Sequence, residues 1–108
     1  MLIAIAGPYS AKDEHQKKMN LDKLNDAAAL VYLKGHIPVI GVNAALPVAD
    51  KLNEDSRYNV IMNISLELVS KCDAMLFLGE SPGANKEKEL MIKDGKKIFY
   101  KAEDIPDV

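Results

Sequence analysis

Leu2-Ile3-Ala4-Ile5-Ala6-Gly7-Pro8, LIAIAGP, is five consecutive apolar residues closed by a glycine and a proline. A strand with one wet face alternates polar and apolar residues. A continuous apolar run bounded by turn residues fits a strand covered on both faces, as in a parallel sheet. Ala74-Met75-Leu76-Phe77-Leu78 repeats the pattern. Ile37-Pro38-Val39-Ile40 reads as a further strand, with Pro38 tolerable at a strand start or at a sheet edge. Lys97-Ile98-Phe99-Tyr100 is the fourth.

Helical segments lie between these strands. From about Asp13 to Lys34, Leu21, Leu24, Ala28 and Val31 keep a spacing of three or four, and Ala27, Leu30 and Leu33 widen the stripe. Gly35 supplies the stop, because positive φ closes a helix and glycine adopts it freely. A second helix is expected from Ser56 to Lys71, with Val60, Ile61, Ile64, Leu68 and Val69 on one face. A third is expected from Ala84 to Asp94-Gly95. The stretch from Gly41 to Asp55, with Asn43, Pro47 and Asn53, has no clear period and is expected as a long loop or broken helix over the sheet. The tail AEDIPDV is expected on the surface. Strands alternating with helices predict one domain over residues 1–108. It is an α/β/α arrangement whose parallel sheet of about four strands has right-handed crossovers. Ligands of such sheets bind beyond the carboxyl ends of the strands, where GPYSA follows the first strand and GESPGA the third.

Composition narrows the function classes. The 108 residues suffice for a single core, and 48% hydrophobic with 28% charged residues is an ordinary globular balance. A formal net charge of -2 argues against a nucleic-acid partner bound through a broad basic face, but leaves small phosphorylated ligands open. No apolar run approaches the ~20 residues of a membrane span, and the opening MLIAIAGPYS lacks the basic region of a signal peptide. The single cysteine, Cys72, permits no internal disulfide, and the expected location is cytoplasmic. Two isolated histidines and one cysteine do not make a metal site.

The run GESPGANKE, residues 79–87, contains G-x-S-x-G behind a strand, the written form of a hydrolase nucleophile elbow. The elbow fails on chemistry. His15 and His36 both precede Ser81, so no histidine follows it as that fold requires. Pro82 has no N–H to give an oxyanion hole. The loop instead sets Ser81, Gly83 and Ala84 at a helix start, where free N–H groups suit an anion. Glu87 is expected in the first helical turn, able to return to the loop. The plainer alternative makes Ser81 an N-cap and Glu87 a capping-box or dipole-complementing carboxylate. Gly7, Pro8, Tyr9 and Ser10 face the same edge and add a ring and a hydroxyl, suited to a base-plus-sugar ligand or equally to a plain turn.

IAGPYS, the KGHIP turn, CDAMLFL, S-x-G-A-x-x-E and GKKIFY, in this order over nearly the whole chain, resemble the nucleoside 2-deoxyribosyltransferase-like superfamily. The resemblance implies a flavodoxin-like fold and cleavage or exchange at the N-glycosidic bond of a nucleoside or nucleoside 5′-monophosphate, with no metal and no cofactor. It implies that Glu87 attacks the anomeric carbon, in the manner of a retaining glycosidase. It makes Gly7, Pro8, Tyr9, Ser10, Ser65, Ser81, Gly83 and Ala84 the substrate contacts, with Ser10 and Ser81 candidates for a phosphate. It also implies a homo-oligomer, since sites of this kind are commonly completed by a neighbouring subunit. Two positions depart from the pattern. Ser65 stands eight residues before Asp73, where active members carry an aspartate, and Ala4 stands where many carry a tyrosine. Absent acid assistance typically costs ~10²–10⁴-fold in rate. The alternative is therefore a nucleotide-binding or sensing domain of the same fold. A signalling receiver is set aside, because no acidic pair follows the first strand.

Overall fold

The structure, a computed structural model, describes residues 1–52 and 56–108. Strands β1 (Leu2–Ala6), β2 (Ile37–Val39), β3 (Ala74–Phe77) and β4 (Lys97–Phe99) form one parallel sheet in the order β2-β1-β3-β4. Helices α1 (Glu14–Leu33), α2 (Gly41–Lys51), α3 (Arg57–Ser70) and α4 (Pro82–Lys93) complete a three-layer α/β/α domain. Among the described residues no helix is long and apolar enough to cross a membrane.

The apolar run that opens the chain is covered on both faces because the pleat sends alternate side chains to opposite layers. Ile3 and Ile5 join Leu24, Ala27 and Val31 of α1, with Leu76 and Phe99. Ala4 and Ala6 face the other way, with Val69 of α3, Met75, Phe77, and Ala84 and Met91 of α4. The proline-bearing strand β2 is an edge strand, where a missing N–H costs no ladder bond on its open side. Gly35 takes φ +94° directly after α1, as its role as helix stop requires.

Four expectations change. Residues 41–51 form a helix despite Pro47, and the end of the expected loop, Asn53 to Asp55, lies outside the described residues. On α1, Leu30 and Leu33 are half or more exposed, so the buried stripe is the narrower Leu24, Ala27, Val31. On α3 the buried residues are Met62, Ser65 and Val69, a face rotated from the expected one, because a serine occupies its centre. The tail is not all surface. A short 3₁₀ turn, Ala102–Asp104, drops Ile105 into the α1-side core at 1% exposure.

His36 is structural. It is buried against the chain's two ends, with the Met1 amine 3.0 Å from Nδ1 and the Pro106 carbonyl 2.6 Å from Nε2. Since the ammonium can only donate, Nδ1 accepts and Nε2–H donates. Cys72 is buried behind β3, and that burial pushes its thiol pKa up, so it is packing rather than a nucleophile. Truncating Ile105 to alanine should cost about 2–5 kcal/mol in urea unfolding. Leu33→Ala, at an 80% exposed position, should stay within about 0.5 kcal/mol.

Candidate functional site

The chain leaves β1 to build β2 on one side and then returns to build β3 on the other. The loops after β1 and β3 therefore part, and a crevice opens at their carboxyl ends. A cleft of about 800 Å³ occupies that place. Its floor is Ile5, Ala6 and Gly7 of the β1 end, and its walls come from the starts of α1, α2, α3 and α4.

Helix α4 supplies the second loop's residues. Ser81 is its N-cap, accepting the Ala84 N–H on Oγ at 3.1 Å, and Pro82 is the first helical residue, where its missing N–H has no intrahelical partner to lose. Ser81 therefore does cap the helix, and it also lines the cleft. The helix begins two residues earlier than the sequence predicts, which moves Glu87 out of the first turn and onto the second. The third helical position is Ala84, so Glu87 is not a capping-box carboxylate.

Glu87 instead turns inward, and its Oε1 accepts the Ser65 hydroxyl at 3.1 Å. Burial pushes the Glu87 pKa from an ordinary 4.5 up to about 7, against the smaller downward pull of that hydrogen bond. Ser65 itself is 1% exposed. Above it lies Gly41, the first residue of α2. A Cβ on Gly41 would overlap the Ser65 Oγ and stand 3.0 Å from its Cα, so only glycine fits. The contact of Gly41 with Ser65, and the 2.7 Å ion pair between Asp50 and Arg57, run α2 and α3 antiparallel as one wall of the cleft.

The first loop forms the opposite wall. Asn20 of α1 donates through Nδ2 to the Tyr9 carbonyl at 3.0 Å and is itself held by Gln16 at 2.8 Å, which fixes the loop that carries Tyr9 and Ser10. Lys17 reaches the same wall and pairs with Glu14 at 3.2 Å. Tyr58 stands across from them with the Lys86 ammonium 5.1 Å from its ring centre.

Of the residues expected from the sequence, Gly7, Tyr9, Ser10, Ser65, Ser81, Gly83, Ala84 and Glu87 all line this one cleft. Pro8 does not; it is exposed and its ring lies beside Gly79. Sequence reasoning missed Gly41, Arg57, Tyr58 and Met62. One signal was available for the first of these. The strand Ile37-Pro38-Val39-Ile40 runs straight into Gly41, as β1 runs into Gly7, so glycine marks the carboxyl edge in both. Among the described residues no group of three His, Cys, Asp or Glu side chains could hold a metal ion.

Gly41→Ala should overpack the Ser65 contact and lower stability by about 1–3 kcal/mol or more, read as a fall in Tm. The raised Glu87 pKa also fixes a pH dependence. The folded chain holds that proton more tightly than the unfolded one, so the associated stability is complete below about pH 4.5 and is lost as the pH rises to about 7. Glu87→Gln, neutral at every pH, should match the parent near pH 4. By pH 8 it should be more stable by about 3 kcal/mol in denaturant unfolding.

A family model described as "Domain of unknown function (DUF4406)" matches residues 1–100. No curated protein matches the sequence.

Proposed function

We propose that this chain, which belongs to the DUF4406 family, cleaves or exchanges the N-glycosidic bond of a nucleoside or nucleoside 5′-monophosphate, with Glu87 as nucleophile. The observation that carries the reading is one carboxyl group, withdrawn from water at the switch point of the sheet and oriented by a buried hydroxyl. A carboxylate so placed has lost much of its hydration and gains most from a positive partner. An oxocarbenium-like anomeric carbon is such a partner. The Ser65 bond occupies Oε1 and leaves Oε2 for the reacting carbon. Attack forms a glycosyl ester, and water or a second base then displaces Glu87. The tyrosines on the two walls offer ring faces for a base, while the Ser81 and Ser10 hydroxyls offer contacts for a sugar or phosphate.

A second reading has its own support. The resemblance expects at position 65 an aspartate that positions the base or protonates the leaving group, and the residue beside Glu87 there is a serine, which favours a domain that binds a nucleotide without turning it over. Incubation with a panel of deoxynucleosides, ribonucleosides and their 5′-monophosphates, with free base followed by chromatography, separates the two. Catalysis predicts base release that vanishes in Glu87→Ala. It also predicts that kcat/KM rises about tenfold per pH unit below pH 7 and levels above it, because the nucleophile must be ionised. Thermal stabilisation by a panel member without any release supports binding alone. No release at high enzyme concentration sinks the catalytic reading.

A further inference from the structure

Helix α3 separates a covered part of the sheet from an open one. Its residues Asn63, Leu66, Glu67 and Ser70 line a groove shared with α4, so that side of the helix looks toward α4. Arg57, Ile61, Ile64 and Leu68, spaced by four and three, lie on the opposite side. Along the first half of α3 the neighbour there is α2: Gly41 packs on Ser65, and Asp50 pairs with Arg57 at 2.7 Å. Since Gly41 stands just past β2, α2 leaves the sheet at its carboxyl edge and runs away from that strand. Beyond Ser65, α3 continues to the amino edge without it.

The edge strand is left open on that face. Among the described residues α1 is the one helix that packs extensively on β2, and it covers the other face. Leu2 and Ile37 are partners across β1 and β2, and Ala4 and Val39 are the next pair on the same face. Val39 packs with the Ala4 cluster, but Leu2 is 37% and Ile37 53% exposed. Leu68, in the last turn of α3, is 36% exposed. Parallel sheets are covered on both faces, so these large apolar side chains at the amino edge mark a face whose cover is missing. An added strand does not supply it. Ile37 turns its N–H inward to the Met1 carbonyl at 2.9 Å, so Pro38 turns its nitrogen to the open edge, where it has no hydrogen to give.

The charges above Leu68 fit one occupant. Glu67 and Lys71 pair at 3.4 Å along the outer side of α3, with side chains 73% and 72% exposed. They stand two residues to either side of Val69, and Leu68 adjoins that centre. An antiparallel copy of α3 crossing there sets Glu67 of each chain against Lys71 of the other, with the leucines between them. Opposite charges at equal distances from an apolar centre make a surface that is its own complement, as a two-fold interface requires. We propose that two copies of the chain associate through this face, formed by Leu2, Ile37 and the second half of α3. None of Leu2, Ile37, Leu68 and Lys71 lines the cleft, so association leaves each cleft to its own chain. In this the inference parts from the family resemblance, which expects a neighbouring subunit to complete the site. It does not depend on the role of Glu87.

Sedimentation equilibrium across the micromolar range tests this, with circular dichroism to confirm that each variant is folded. The mass should approach twice the 11.9 kDa of one chain as concentration rises. Leu68→Glu should raise the dimer Kd by at least ~10-fold, the usual cost of losing an apolar anchor. Leu30→Glu, at a half-exposed position on α1, should leave it within about twofold. Glu67→Lys sets like charges against each other and should weaken association, and adding Lys71→Glu should restore it. This exchange involves only exposed side chains, so it carries the test even if Leu68→Glu fails to fold. A single-chain mass throughout the range overturns the proposal. So does a dimer that a folded Leu68→Glu leaves unmoved, or one that the second charge change does not restore.

Discussion

Burial of β1 on both faces is the constraint from which the rest of the domain follows. A central strand has no solvent side, so each pleat must be matched to a different layer. The chain solves this with unequal side chains: isoleucines toward α1, alanines toward α3 and α4. The small residues let the paired helices lie close to the sheet, where Ala84 and Met91 meet Ala4 and Ala6 in one cluster. Close docking of α4 brings its second turn over the carboxyl end of β1. Glu87 is thereby held at the cleft instead of at the surface. Ala4, a departure from the tyrosine that the family resemblance leads one to expect, thus has a packing role of its own.

Much of this architecture is legible in the sequence because period and punctuation are local signals. The runs LIAIA and AMLFL, closed by glycines, fix two inner strands, and Pro38 marks the edge. What escapes is whatever depends on a partner that the sequence does not put next door. The buried face of α3 is misread because its central residue is a serine, and hydrophobicity cannot see a hydroxyl buried for the sake of a carboxylate 22 residues away. Ile105 is misread for the opposite reason. It is a lone apolar residue among charged and turn-forming neighbours, and only the groove beside α1 gives it a place.

The candidate site divides along the same line. Residues on the two loops that follow inner strands are found from the sequence, since a doubly wound sheet must place those loops at its carboxyl edge. The helical wall made by α2 and the start of α3 is not found, because Pro47 disguises the first helix and Arg57 and Tyr58 belong to no motif. The character of Glu87 is likewise tertiary. Its distance along the chain from Ser81 is the same in either reading, but the helix start at Pro82 decides whether it caps the helix or turns into the cleft.

The contact between Gly41 and Ser65 ties two distant positions into one unit of variation. Glycine has no side chain left to remove, so α2 cannot make more room for a larger residue at position 65 by changing Gly41. A larger residue at position 65 therefore requires α2 to shift bodily, and the first step of that path is a less stable protein. While α2 keeps this place, packing alone holds position 65 to a small side chain, whatever the cleft binds.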